Sequence, residues 1–163
     1  MEIVRSLRAP VEPAAIFAHV ATLDAYRAWM PLIHDVEPAE PVIADDGGEN
    51  APAWNVELRA KVGPFARSKR LRMVRTHLVV NELAVFERRE LDGRNHSAWV
   101  LRAELTPVAE DTDARSVATR LDMTMRYDGA LWAGPVLERV LDDQVRQGSD
   151  ALLGLVTSHD AAS

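Results

Sequence analysis

Trp54, Val56, Leu58, Ala60 and Val62 alternate with Asn55, Glu57, Arg59 and Lys61. A period of two marks a strand with one dry face, because successive side chains on extended backbone point to opposite sides. Trp99, Leu101, Ala103 and Leu105 share one parity against Arg102 and Glu104. Val117, Leu121, Met123, Met125 and Tyr127 do the same against Arg120, Asp122, Thr124, Arg126 and Asp128. The acidic stretch Pro107 to Ala114 between these runs predicts an antiparallel hairpin with outer charges able to pair across it. Leu83 to Arg89 reads as another strand, closed by the turn Asp92-Gly93-Arg94. Glu2 to Leu7 and Val36 to Val42 complete the set. The long basic strand Arg67 to Val80 follows the turn Gly63-Pro64-Phe65, and its pattern leaves open which face turns inward. Leu71 and Met73 share a face with Lys69 and Arg75, whereas Val74 shares one with Arg70 and Arg72.

The period lengthens in three places. Pro13 suits the first turn of a short helix to about Val20, since its missing N–H has no helical partner there. Ile16, Phe17 and Val20 form its apolar stripe. A second short helix starts near Thr22 or Asp24, carries Tyr26, Trp29 and Met30, and stops at Pro31. The third spans about Pro135 to Val156, with Leu137, Val140, Leu141, Ala151, Leu152, Leu155 and Val156 apolar. Gly148 and Gly154 sit inside it, where glycine costs about 1 kcal/mol relative to alanine. They mark either close packing, room for a ligand, or a locally weak helix.

One strand, two short helices, about six consecutive strands and a terminal helix make an α+β chain, because no crossover helices separate the strands. The expected architecture is a curved antiparallel sheet of six or seven strands gripping the long C-terminal helix. Residues 1–157 are expected to form a single domain and 158–163 a frayed tail. A sheet wrapped around one helix seldom closes tightly, so an apolar cavity is expected between them.

Composition narrows the chemistry. The chain has 163 residues and a net charge of −6, which disfavours nucleic acid as a partner. Cysteine is absent, which excludes thiolate nucleophiles, disulfides and cysteine-ligated metals. No stretch approaches the roughly 20 apolar residues of a membrane span, and no signal segment opens the chain, so a cytoplasmic protein is expected. The standard catalytic motifs are missing. Ser158-His159-Asp160 has triad letters, but adjacent residues cannot form triad geometry. The five histidines show no metal-ligand spacing, and no cofactor is expected.

Trp29, Trp54, Trp99 and Trp132, with Met73, Met123 and Met125, fit either an ordinary core or a ligand-lining surface. The inward parity of adjacent strands makes Trp99, Met123, Met125 and Tyr127 the leading pocket candidates. Met73, Trp29, His34 and Arg72 join them as candidate ligand-binding residues. His34 follows the segment near one expected cavity mouth. Tyr127 could donate to a ligand carbonyl, with Arg70 or Arg72 as its cation if the even face of that strand turns inward.

Two segments carry a resemblance. Ala9-Pro10-Val11-Glu12-Pro13-Ala14-Ala15-Ile16-Phe17 is similar to the "AP-x-E-x-V-[FW]" opening of the START-like superfamily. Ala21-Thr22-Leu23-Asp24-Ala25-Tyr26-Arg27-Ala28-Trp29-Met30-Pro31 is similar to its "D-x-x-x-Y-x-x-W-x-P" second helix, with the aspartate two residues before the tyrosine. The resemblance covers nearly the whole chain and implies the helix-grip fold of the polyketide cyclase/dehydrase and lipid-transport (SRPBCC-type) proteins. It implies an apolar small-molecule ligand of the lipid, polyketide or quinone class. Three functions follow: a binding module, a cyclase/dehydrase-type enzyme using Tyr127 and an arginine, or a carrier that hands its ligand to a membrane or protein. A homodimer is compatible with each.

Overall fold

In the computed structural model, residues 1–44, 48–62, 64–109, 117–128 and 135–161 are described. Trp132 and most of the acidic 107–114 loop lie outside them. The elements run β1 (Glu2–Ala9), α1 (Pro13–Val20), α2 (Leu23–Tyr26), β2 (Ile33–Val42), β3 (Ala51–Val62), β4 (Phe65–Val79), β5 (Leu83–Arg88), β6 (Trp99–Ala109), β7 (Val117–Tyr127) and α3 (Pro135–Ala161). They form the α+β architecture expected, with α2 reduced to four residues and α3 extended to 27.

The seven strands make one antiparallel sheet in the order β1-β7-β6-β5-β4-β3-β2. Strands β2 to β7 follow one another as neighbours, and β1 returns to pair with β7 from Glu2↔Arg126 to Ala9↔Thr119. The first two strands therefore occupy opposite edges, and the α1–α2 segment carries the chain between them. Thr119 fastens its start by donating its hydroxyl to the Val11 carbonyl, 2.8 Å away and buried. Register shifts in β2 and in the β4–β5 pair interrupt regular pleating, and such irregularities bend and twist a sheet.

The open question in β4 is settled by burial and register. Leu71 and Met73 lie opposite Val56 and Trp54 and join the core. The odd face of β4 turns inward, taking Lys69 and Arg75 with it. Arg75 reaches the Ala21 carbonyl at 2.7 Å and so ties the sheet to the helical segment.

Leu141, Val145, Leu152 and Val156 bury one stripe of α3. Asp142 beside that stripe pairs with Arg5 of β1. The two glycines of α3 have different surroundings. A Cβ on Gly148 would stand 3.0 Å from Met30 Sδ and 3.2 Å from the Trp29 carbonyl oxygen, so glycine there permits close approach. A Cβ on Gly154 would meet nothing within 4 Å. Gly154→Ala should therefore stabilise the fold by about 1 kcal/mol through helix propensity. Gly148→Ala should destabilise it, because the carbonyl contact cannot yield as a side chain can. Urea unfolding of both variants decides the matter, and equal gains would show that α3 does not press on the 29–30 segment.

Candidate functional site

An apolar cavity lies between the concave sheet face, α2 and α3. Its wall includes Ile3 of β1, Leu23 and Tyr26 of α2, Leu71 and Met73 of β4, Trp99 of β6, Met123 and Met125 of β7, and Val145 of α3. The segment after α2 adds Met30 and Leu32, and the start of β2 adds Ile33. Four of the chain's five methionines thus face one space. Its volume is about 50 Å³, far below the roughly 300 Å³ at which small-molecule sites begin. The cavity stands where the sheet and helix leave it, but it is smaller than the sequence suggests. Leu141 and Leu152 of α3 and Tyr26 of α2, each buried, fill much of the grip.

The eight residues singled out from the sequence divide by location. Trp99, Met123, Met125 and Met73 share the cavity wall. Tyr127 is buried beside it, with its ring stacked on Trp99 at 4.7 Å and 16°. The Tyr127 hydroxyl donates to Met1 Sδ at 3.1 Å. Burial, and then the Glu138 carboxylate, raise the Tyr127 pKa above the usual phenol range. Trp29 packs on Tyr26 with ring centroids 4.8 Å apart, and its indole N–H donates to the His19 carbonyl. His34 is exposed on β2. Arg72 is buried, but its even parity turns away from the cavity. Its guanidinium donates to the Arg89 and Glu40 carbonyls at 2.8 and 2.7 Å. It borders a separate charged groove of about 260 Å³ with Asp35, Glu37, Glu57, Arg70 and Glu90. No cation from the even face of β4 reaches Tyr127.

The sequence reading passed over one polar group of the wall. Tyr26 is fully buried, and its hydroxyl has no hydrogen-bond partner among the described residues. Burial drives its pKa far above the ordinary phenol value, so it is a neutral donor at every working pH. Phe86 edges against its ring at 5.9 Å and 84°, and Trp29 tilts over it. The phenol is held rigidly by these rings, while its O–H is left without a partner. Such a group costs about 1–3 kcal/mol. In sequence Tyr26 is one aromatic of a short helix, and only tertiary packing reveals the orphaned donor. Among the described residues, no group of three or more His, Asp or Glu could hold a metal ion.

No protein-family model matches the chain, and no curated protein matches it by sequence. Solved structures do match it in shape. A START superfamily protein from Mycobacterium smegmatis superposes with a TM-score of 0.62 at 15% identity, covering 96% of this chain and 97% of that one. A protein from Thermus thermophilus gives 0.65 at 14% identity over 98% and 99%. The Zhui aromatase/cyclase from Streptomyces sp. R1128 gives 0.57 at 15% identity over 96% and 93%. With its seven-stranded curved sheet, its paired short helices after β1 and its long terminal helix, the chain has the START-like helix-grip fold.

Proposed function

We propose that this protein binds a hydrophobic or aromatic small molecule of the lipid, polyketide or quinone class, with one acceptor oxygen directed at Tyr26. The orphaned Tyr26 hydroxyl, in a wall whose other side chains are apolar apart from the Trp99 indole, carries this reading. A ligand carbonyl would satisfy the donor, and apolar burial at about 25 cal/mol per Å² would supply the affinity. The cavity must widen to admit it. Methionine side chains suit that task, being unbranched, polarizable and rich in rotamers.

A cyclase/dehydrase-type activity, the alternative that the family resemblance implies and with which the aromatase/cyclase name of the Streptomyces neighbour agrees in part, would need at least two ionisable groups converging on the substrate. Among the described wall residues only Tyr26 is ionisable, and the Tyr127 hydroxyl is already engaged with Met1. Binding is therefore favoured over turnover.

An isosteric pair of probes tests the proposal. By isothermal titration calorimetry, 2-acetylnaphthalene should bind several-fold tighter than 2-isopropenylnaphthalene, since one net hydrogen bond contributes about 1 kcal/mol. Tyr26→Phe should abolish the difference. Absence of binding by both probes would end the reading. Without ligand, the same substitution removes an unsatisfied hydroxyl and should raise stability by about 1 kcal/mol, or roughly 2–4 °C in Tm. A loss of stability would show that the hydroxyl is satisfied in the empty protein.

A further inference from the structure

Strand β5 has six residues, whereas β4 has fifteen and β6 eleven. Its pairing with β4 ends at Met73↔Arg88, and its pairing with β6 ends at Glu87↔Val100. Beyond that level β4 continues through Leu71 and Lys69 with no β5 neighbour. One further main-chain bond runs from the Arg89 N–H to the Arg72 carbonyl at 2.9 Å; the Arg72 backbone N–H is then met by the Glu90 carboxylate at 3.1 Å instead of by a strand, and the chain leaves the sheet. The sheet is thus split between Leu71 and Trp99, and both residues belong to the cavity wall. On the other side of Trp99 and Val100 lies an open cleft of about 400 Å³ bordered by Arg88, Glu90, Arg94, His96 and Ser97. Trp99 and Val100 are common to the apolar cavity and the polar cleft, so the two spaces adjoin at the split, and a ligand passing from one to the other would use it as a portal.

Charge at the portal is unevenly disposed. Glu87 lies 3.7 Å from Arg89, Glu90 lies 2.9 Å from Arg88, and Asp92 lies 2.8 Å from His96, so each of these carboxylates already has a positive or protonatable neighbour. Lys69 sits on the inward face of β4, directly opposite Leu58 of the cavity wall. Its ammonium lies 5.9 Å from the centroid of the Trp99 ring. An aromatic face holds a cation in place without cancelling its charge. Burial, and then Arg88 nearby, lower the Lys69 pKa, while the Glu90 carboxylate opposes them. A ligand carboxylate beside the ammonium would offset the cost of its burial.

We propose that the portal takes the carboxylate head of an amphipathic ligand, with Lys69 over Trp99 as its anchor and the apolar body passing between Leu71 and Trp99 into the cavity. This rests on the cavity reading above and adds the chemical class of the exposed end. The test compares octanoate with 1-octanol by titration calorimetry on the wild type, Lys69→Gln and Lys69→Arg. Octanoate should bind the wild type about tenfold tighter, in line with a charge-assisted hydrogen bond. Lys69→Gln should erase that preference and leave octanol affinity unchanged, and Lys69→Arg should keep most of it. Equal binding of the two probes by the wild type, or an equal loss of both in Lys69→Gln, would overturn the anchor while leaving the cavity reading intact. Binding of neither probe would overturn both.

Discussion

One helix cannot cover seven strands. Strands spaced about 4.8 Å apart make this sheet about 29 Å wide, while a helix with its side chains is about 10–12 Å across. The concave apolar face of β1 to β7 must therefore be closed by α3 together with whatever else the chain can place there. The α1–α2 segment does the remainder, since it has to cross from the β1 edge to the β2 edge in any case. Gly148 is where the two covers meet, with the Trp29 carbonyl and Met30 close against the helix axis. The residual space falls at the junction of these pieces.

That space is small, and its wall is chemically unusual. Rigid aromatics and soft methionines divide the lining between them. Tyr26 is fixed by Trp29 and Phe86, and Trp99 by Tyr127. Met30, Met73, Met123 and Met125 fill the gaps. Fixed rings give a site its orientation, and thioether chains give it adaptable volume. The unbonded Tyr26 hydroxyl costs about 1–3 kcal/mol, which a ligand acceptor would recover. The lone donor and the yielding wall point to the same use.

Much of the fold was legible in the residues. Period-two alternation marked β3, β6 and β7 with the correct inward faces, because one side of each is dry and the other wet. The β4 strand was not decided, since Arg72 and Val74 are buried on the outer face as well as Leu71 and Met73 on the inner one. Its alternation is erased by the groove around Arg72, which depends on Glu40 and Arg89, residues distant in sequence. Within the candidate site, Trp99, Met123 and Met125 could be found by parity alone, whereas Met73 lies on the undecided β4. Tyr26 and Lys69 could not. The significance of the first lies in a missing partner and that of the second in the early end of β5, and neither is a property of a local pattern.

The central claim is that the methionine-lined space opens to hold a ligand. Carbon-13 NMR of the methionine methyl groups, followed as 2-acetylnaphthalene is added, tests it most directly. Ring-current shifts at Met30, Met73, Met123 and Met125 that saturate together are expected. Unmoved signals for these four at saturating probe, or shifts confined to methyls outside the cavity, would contradict it.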